Sequence, residues 1–136
     1  MSSFIGIDLG TTFSAVATID QSGRPVLVKN PDGHIITPSC VTETGVGQFD
    51  VGEFARRTWG QAPEKAAARF KRDMGSQETK SVGSEKLTPT ELSALVLKKL
   101  VEDARQEIGE IGEAVITIPA NFSNEARDAT MTAAKS

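Results

Sequence analysis

Phe4-Ile5-Gly6-Ile7-Asp8-Leu9-Gly10-Thr11-Thr12-Phe13-Ser14 is the stretch on which the reading of this chain turns. Phe4 to Leu9 is a short apolar strand bounded by Gly10, and Phe13 to Asp20 is a second, alternating and β-branched run. The two are joined by a tight turn. Gly10 has no side chain, so a ligand can approach the backbone closely there. Thr11 and Thr12 bring hydroxyls and N–H groups to the same spot, and successive N–H groups in such a turn form a concavity for an anion. Asp8 ends an apolar strand, where a bare charge is costly unless it is paired or bound to a cation. Mg²⁺ suits that position, because it is commonly held by one or two carboxylates, phosphate oxygens and waters. On spacing alone, the same residues also describe an ordinary hairpin with a glycine turn and a surface aspartate. Other phosphate motifs fail: there is no G-x-x-x-x-G-K-[ST], and Gly45-Val46-Gly47 lacks the third glycine and following helix of a dinucleotide fingerprint.

Outward from this turn, Gln21 to Arg24 reads as a second turn and Pro25 to Val28 as a third strand. Gaps this short permit antiparallel hairpins but not parallel crossovers, so the chain opens as a three-strand meander. Pro31-Asp32-Gly33 is another turn, and Ser39 to Glu43 a further strand. Gly52 to Gln61 reads as a short helix. Pro63 to Arg72 is helical by propensity, although Arg69 and Phe70 could equally be extended. Gly75 to Lys86 is polar and reads as a loop. Thr88-Pro89-Thr90-Glu91 matches a capping box with proline at the first helical position. Leu92, Leu95, Val96, Leu100 and Ala104 then form one apolar stripe, and Gly109 can end the helix in a left-handed conformation. Ala114 to Ile118 is a near-continuous apolar run, as in a strand buried on both faces, stopped by Pro119. Ser123 can cap a last helix with a stripe of small residues at Ala126, Ala129, Thr130, Ala133 and Ala134.

The order is therefore β-β-β, an inserted segment, then α-β-α, with a parallel crossover between the third strand and the Ala114 strand. This α/β arrangement is most of a ribonuclease-H-like layer, the unit that actin-like and sugar-kinase folds use twice. Residues 1–37 and 88–136 are expected to form that layer, with 38–87 as an inserted small subdomain. The layer is expected to lack a further strand and helix after Ser136.

Composition narrows the function classes. The chain has 136 residues, 38% of them hydrophobic and 24% charged, which is ordinary for a globular domain and unlike disorder or a coiled coil. A net charge of −3 argues against a dedicated nucleic-acid binder. The single cysteine, Cys40, excludes an intrachain disulfide and a multi-cysteine metal site. No apolar run approaches the ~20 residues of a membrane helix, and the N-terminus lacks a signal-peptide pattern. The cytoplasm is the expected compartment.

The stretch Ile5 to Ser14 closely resembles the first phosphate motif of the seventy-kilodalton heat-shock chaperones, the DnaK type. The resemblance continues through Ile36-Thr37-Pro38-Ser39, Val51-Gly52, Phe70-Lys71-Arg72 and Gly75. It resumes at Leu97-Lys98-Lys99-Leu100 and runs through Ala114 to Ala120 with Phe122, Arg127 and Ala129. It covers nearly the whole chain in order. The stretch from Lys71 to Thr88 is shorter than in DnaK and looks most like the HscC branch. Asn121 departs from the family's usual aromatic at that position.

The resemblance implies an actin/hexokinase-type ATPase lobe, with ATP or ADP and Mg²⁺ as ligands. It implies that Gly10, Thr11 and Thr12 contact the nucleotide phosphates, with Phe13 contributing backbone. Asp8 matches the carboxylate that orients the metal through water. Lys71 matches a lysine reaching the γ-phosphate and attacking water, where a fixed cation would stabilise charge developing on the transferred phosphoryl group. Asp8 and Lys71 are thus the candidate catalytic residues. Pro119 and Arg127 match positions that relay nucleotide state to a substrate-binding domain. Unfolded peptides and a J-domain co-chaperone are the implied partners.

Each of these residues also has a plainer reading. Lys71 beside Arg72 is ordinarily a solvated basic pair, Pro119 a strand terminator, and Arg127 a neighbour of Glu125 or Asp128 worth little in stability. His34 and Trp59 read as surface and packing residues, and Cys40 as a small buried side chain. The chain looks like an N-terminal fragment carrying most of one lobe, expected to bind ATP weakly or to be inactive alone. The Ala114 strand would then have an unpaired edge that invites self-association. A sugar or acetate kinase lobe, or a non-enzymatic module acting through protein contacts, are the competing readings.

Overall fold

In a computed structural model, the described residues are 3–10, 12–19, 22–45, 47–68, 79–109 and 111–117. The main sheet is built on β1 (Ser3–Asp8), which pairs antiparallel with β2 (Phe13–Ile19) through Ile5–Thr18 and Asp8–Ala15. The short strand β3 (Pro25–Leu27) pairs with the far end of β2. At the near end, β4 (Thr37–Pro38) pairs Phe13 with Pro38 and Ser14 with Thr37. The three-strand meander is therefore present, with its third strand one residue shorter than the sequence pattern gives.

A second sheet follows: β5 (Cys40–Gly45) at the centre, flanked by β6 (Gln48–Val51) and β7 (Ala66–Ala68). Helix α1 (Glu53–Gln61) packs on it through buried Ala55. Two expectations fail here. Pro63 to Arg72 is not helical over its described part: only Pro63–Lys65 makes a single 3₁₀ turn, after which Ala66–Ala68 pairs with Cys40–Thr42. Alanine's intrinsic helix preference is outweighed by the non-local ladder and by burial of Ala66 and Ala67, each 3% exposed. The polar stretch read as a loop contains a hairpin, β8 (Lys80–Val82) and β9 (Glu85–Leu87), turned at Gly83-Ser84. Gly83 has φ 68°, and Ser84 donates from its N and Oγ to the Glu43 carboxylate of β5, which pins the hairpin to the second sheet.

Helix α2 (Pro89–Ile108) has the ends its sequence specifies. The Glu91 N–H donates to Thr88 Oγ1 at 3.2 Å and the Thr88 N–H to Glu91 Oε1 at 3.0 Å, so the capping box is closed in both directions. Gly109 follows at φ 86°, a conformation that favours glycine. The buried stripe Leu92, Val96, Leu97, Leu100 and Ala104 packs with Ile5, Ile7, Leu9 and Val16 in one core. Burying each such leucine or isoleucine contributes roughly 1.5–3 kcal/mol.

After α2 the chain returns as β10 (Ile111–Thr117), parallel to β1 in the register Ile5–Ala114 and Ile7–Ile116. This is the parallel crossover that the element order requires. The expectation of a strand buried on both faces is not met: Val115 is 51% exposed, and Gly112 to Ala114 are exposed as well. The register puts Ile116 on the α2 face, where it packs against the core, and Val115 on the opposite face beside Gly6. That opposite face also carries exposed Phe4, Ile19 and Leu27, and no described helix covers it. Cys40 is buried, as its sequence context suggests.

Candidate functional site

The β1–β2 turn is built at the end of the main sheet where β4 also arrives. Asp8 is the last residue of β1 and is exposed to solvent. Thr12 is exposed, and Phe13 begins β2 with 37% exposure. Asp8, Gly10, Thr12 and Phe13 are thus brought to one tip. Thr11, Lys71, Pro119 and Arg127 lie outside the described residues.

Gly10 is sterically required. A Cβ at this position would overlap the carbonyl oxygen of Phe13, so the turn closes only around a bare Cα.

Two serines support the turn from below. Ser14 and Ser39 are 1% and 2% exposed, and their hydroxyls lie 2.8 Å apart. Ser39 Oγ donates to the Gly10 carbonyl at 2.9 Å, and the Gly10 N–H donates to Ser14 Oγ at 3.3 Å. The Ser39 N–H also donates to the Thr12 carbonyl at 2.9 Å. Sequence reasoning places Ser14 and Ser39 inside recognisable stretches but assigns them no role. Two serines at core-facing positions, where β-patterning calls for apolar residues, are the available signal.

Arg56 of α1 is a further residue the sequence reading leaves out. Its guanidinium carbon sits 5.6 Å from the centroid of the Phe13 ring, a cation–π contact that joins α1 to the first residue after the turn. Glu53 holds Arg56 and Arg57 through ion pairs at 3.4 Å each. A groove of about 620 Å³ opens beside the turn, with Phe13, Ile36, Pro38 and Arg56 in its walls.

A separate cavity of about 500 Å³ lies between α2, the loop after β3 and the start of α1, and none of the turn residues lines it. Asp103 of α2 does, as one of its most buried polar groups. Burial pushes the Asp103 carboxyl above its ordinary value, against the hydrogen bond and charge of Lys99, which pull it down.

Among the described residues, no group of three or more His, Cys, Asp or Glu is placed to hold a metal ion. The turn supplies one exposed carboxylate, Asp8, which fits a cation held through water and phosphate oxygens better than one caged by protein.

A family model described as Hsp70 protein matches this chain over residues 4–85 and 77–136. The chain belongs to the Hsp70 family. Hsp70 proteins are ATP-hydrolysing chaperones with an actin/hexokinase-type ATPase fold, and they bind nucleotide with Mg²⁺ as well as unfolded peptides. The mixed α/β sheet described above is consistent with that fold. The two matched segments overlap at residues 77–85, inside the stretch between Lys71 and Thr88 that is expected to be shorter than in DnaK. No described helix of this Hsp70 chain is long and apolar enough to cross a membrane.

Proposed function

We propose that this chain forms part of the nucleotide site of a DnaK-type Hsp70 ATPase, nearest the HscC branch, in which ATP binding and hydrolysis regulate the hold on unfolded peptides. The observation that carries the reading is the Gly10 turn, held by Ser14 and Ser39 with the Asp8 carboxylate beside it.

On this reading, Thr11, Thr12 and Phe13 face the nucleotide phosphates, and Gly10 lets them come close. Asp8 would hold Mg²⁺ through water. The bound ion would neutralise charge on the phosphate oxygens. The Lys71 ammonium would stand at the transferred phosphoryl group, adding a fixed cation where negative charge develops. Pro119 and Arg127 would pass nucleotide state to the peptide-binding part, with a J-domain co-chaperone as partner and the cytoplasm as location. Residues 1–37 and 88–136 would make the ribonuclease-H-like layer and 38–87 the inserted subdomain. Contacts from one turn grip only the tail of a nucleotide, so the chain alone should bind ATP weakly and turn it over poorly. The outer edge of β10, which no described strand pairs, would support self-association.

Calorimetry with ATP and Mg²⁺ tests this reading. Weak binding that is lost in Gly10→Ala supports it. Binding unchanged by Gly10→Ala removes the turn as the site, and low-micromolar binding removes the claim of weakness. In the complete protein, Lys71→Ala should abolish turnover. Stimulation of ATP turnover by a sugar instead of an unfolded peptide would overturn the proposed link between ATP turnover and peptide binding.

A further inference from the structure

Gly10, Ser14 and Ser39 form a closed circuit of hydrogen bonds whose direction is fixed. The Gly10 carbonyl can only accept, so the single hydroxyl proton of Ser39 is committed to it at 2.9 Å. The 2.8 Å bond between the two hydroxyls must then be donated by Ser14. That leaves a lone pair of Ser14 Oγ to accept the Gly10 N–H at 3.3 Å. Proton donation therefore runs from the Gly10 amide to Ser14, from Ser14 to Ser39, and from Ser39 back to the Gly10 carbonyl. Both hydroxyls are almost wholly buried, where an unbonded hydroxyl would be costly. Among the described residues, the two hydroxyls bond to each other and to Gly10.

We propose that Ser14 and Ser39 are paired positioning residues for phosphate recognition, fixing the Gly10 peptide and thereby the turn that meets the nucleotide. This inference rests on the nucleotide reading of the turn, and it adds two points to it. The Gly10 N–H is committed to Ser14, so Gly10 serves the ligand through close approach rather than as an anion donor. Ser39 also donates its own N–H to the Thr12 carbonyl at 2.9 Å, so one residue holds the turn on both sides of Thr11. Ser39 stands between β4 and β5, and the same bonds therefore tie the turn to the second sheet.

The test uses the full chain, with ATP and Mg²⁺ as the probe, in Ser39→Ala, Ser14→Ala and Ser39→Thr. Ser39→Ala should weaken ATP binding about tenfold. Amide exchange at Thr12 and Phe13 should quicken while protection of α2 stays at the wild-type level. Ser39→Thr keeps the hydroxyl and should recover most of the affinity, a rescue that loss of packing alone would not produce. Where Ser39→Ala does not fold, Ser14→Ala carries the same expectation by breaking the circuit at its other member. Equal ATP affinity in wild type and both alanine variants overturns the positioning role while leaving the turn as the nucleotide site. Affinity that falls only in step with α2 protection, without rescue by threonine, overturns it too. Wild-type chain that binds no ATP removes the nucleotide reading itself, and this inference with it.

Discussion

Lys99 Nζ lies 3.0 Å from Asp103 Oδ1, one turn back along α2, while Asp103 Oδ2 is buried with no hydrogen-bond partner. The pair is half satisfied. One oxygen has a charge-assisted partner, and the other bears the cost of leaving water. The carboxyl consequently holds its proton more tightly in the folded protein than in the unfolded chain.

The sign of the pH dependence follows. A raised carboxyl contributes stability that is present below its ordinary value and is lost as pH rises through its folded value. Between those two values, wild-type stability should therefore fall with rising pH through this group. Asp103→Asn should remove that component. Denaturant midpoints of both proteins measured across the acid range check it, and parallel curves would refute it.

Gly10→Ala should destabilise the chain by about 1–3 kcal/mol, because the added methyl carbon meets the Phe13 carbonyl and the turn must open. ATP binding should be lost along with the turn geometry. A variant with unchanged thermal midpoint and unchanged affinity would show that the turn has room after all.

Thr88→Ala should cost about 1 kcal/mol, since it removes the acceptor of the Glu91 N–H and opens the capping box. Thr88→Ser keeps that acceptor and should come within a few tenths of a kcal/mol of wild type. Chemical denaturation of the two variants side by side separates a capping effect from loss of the threonine methyl.

Leu100→Ala should cost about 2–5 kcal/mol, because Leu100 is 2% exposed in the core shared by α2 and the main sheet. For a single domain of this size that is a large share of total stability. Urea unfolding should show the midpoint falling with little change in slope.

What could be read in advance depended on how local its cause is. The ends of α2 are set by Thr88, Pro89, Glu91 and Gly109, residues acting within one turn of themselves, and the sequence pattern locates them closely. The meander was legible for the same reason: alternation and short gaps are local. Ala66–Ala68 was not, because what makes it a strand is Cys40–Thr42, far earlier in the chain. The Gly83 hairpin was hidden by its polar strands, which owe their place to Glu43. In the site, Asp8 and Gly10 announce themselves through residue type and position. Ser39 does not, since its partner Ser14 is 25 residues away and serine is common in any turn-rich segment.

Because Ser39 opens directly into β5, the tip of the main sheet and the root of the second sheet are joined at Ser39 as well as through their common core. β5 extends about 20 Å from that joint at the rise of an ordinary strand. Val41 of this strand, with Val51 and Ala67 of its neighbours, is buried in the same core as Ile5 and Leu92, so the two sheets are held together well beyond Ser39. A change at Ser39 would therefore be felt on both sides of the seam, in the glycine turn and in the first residues of β5.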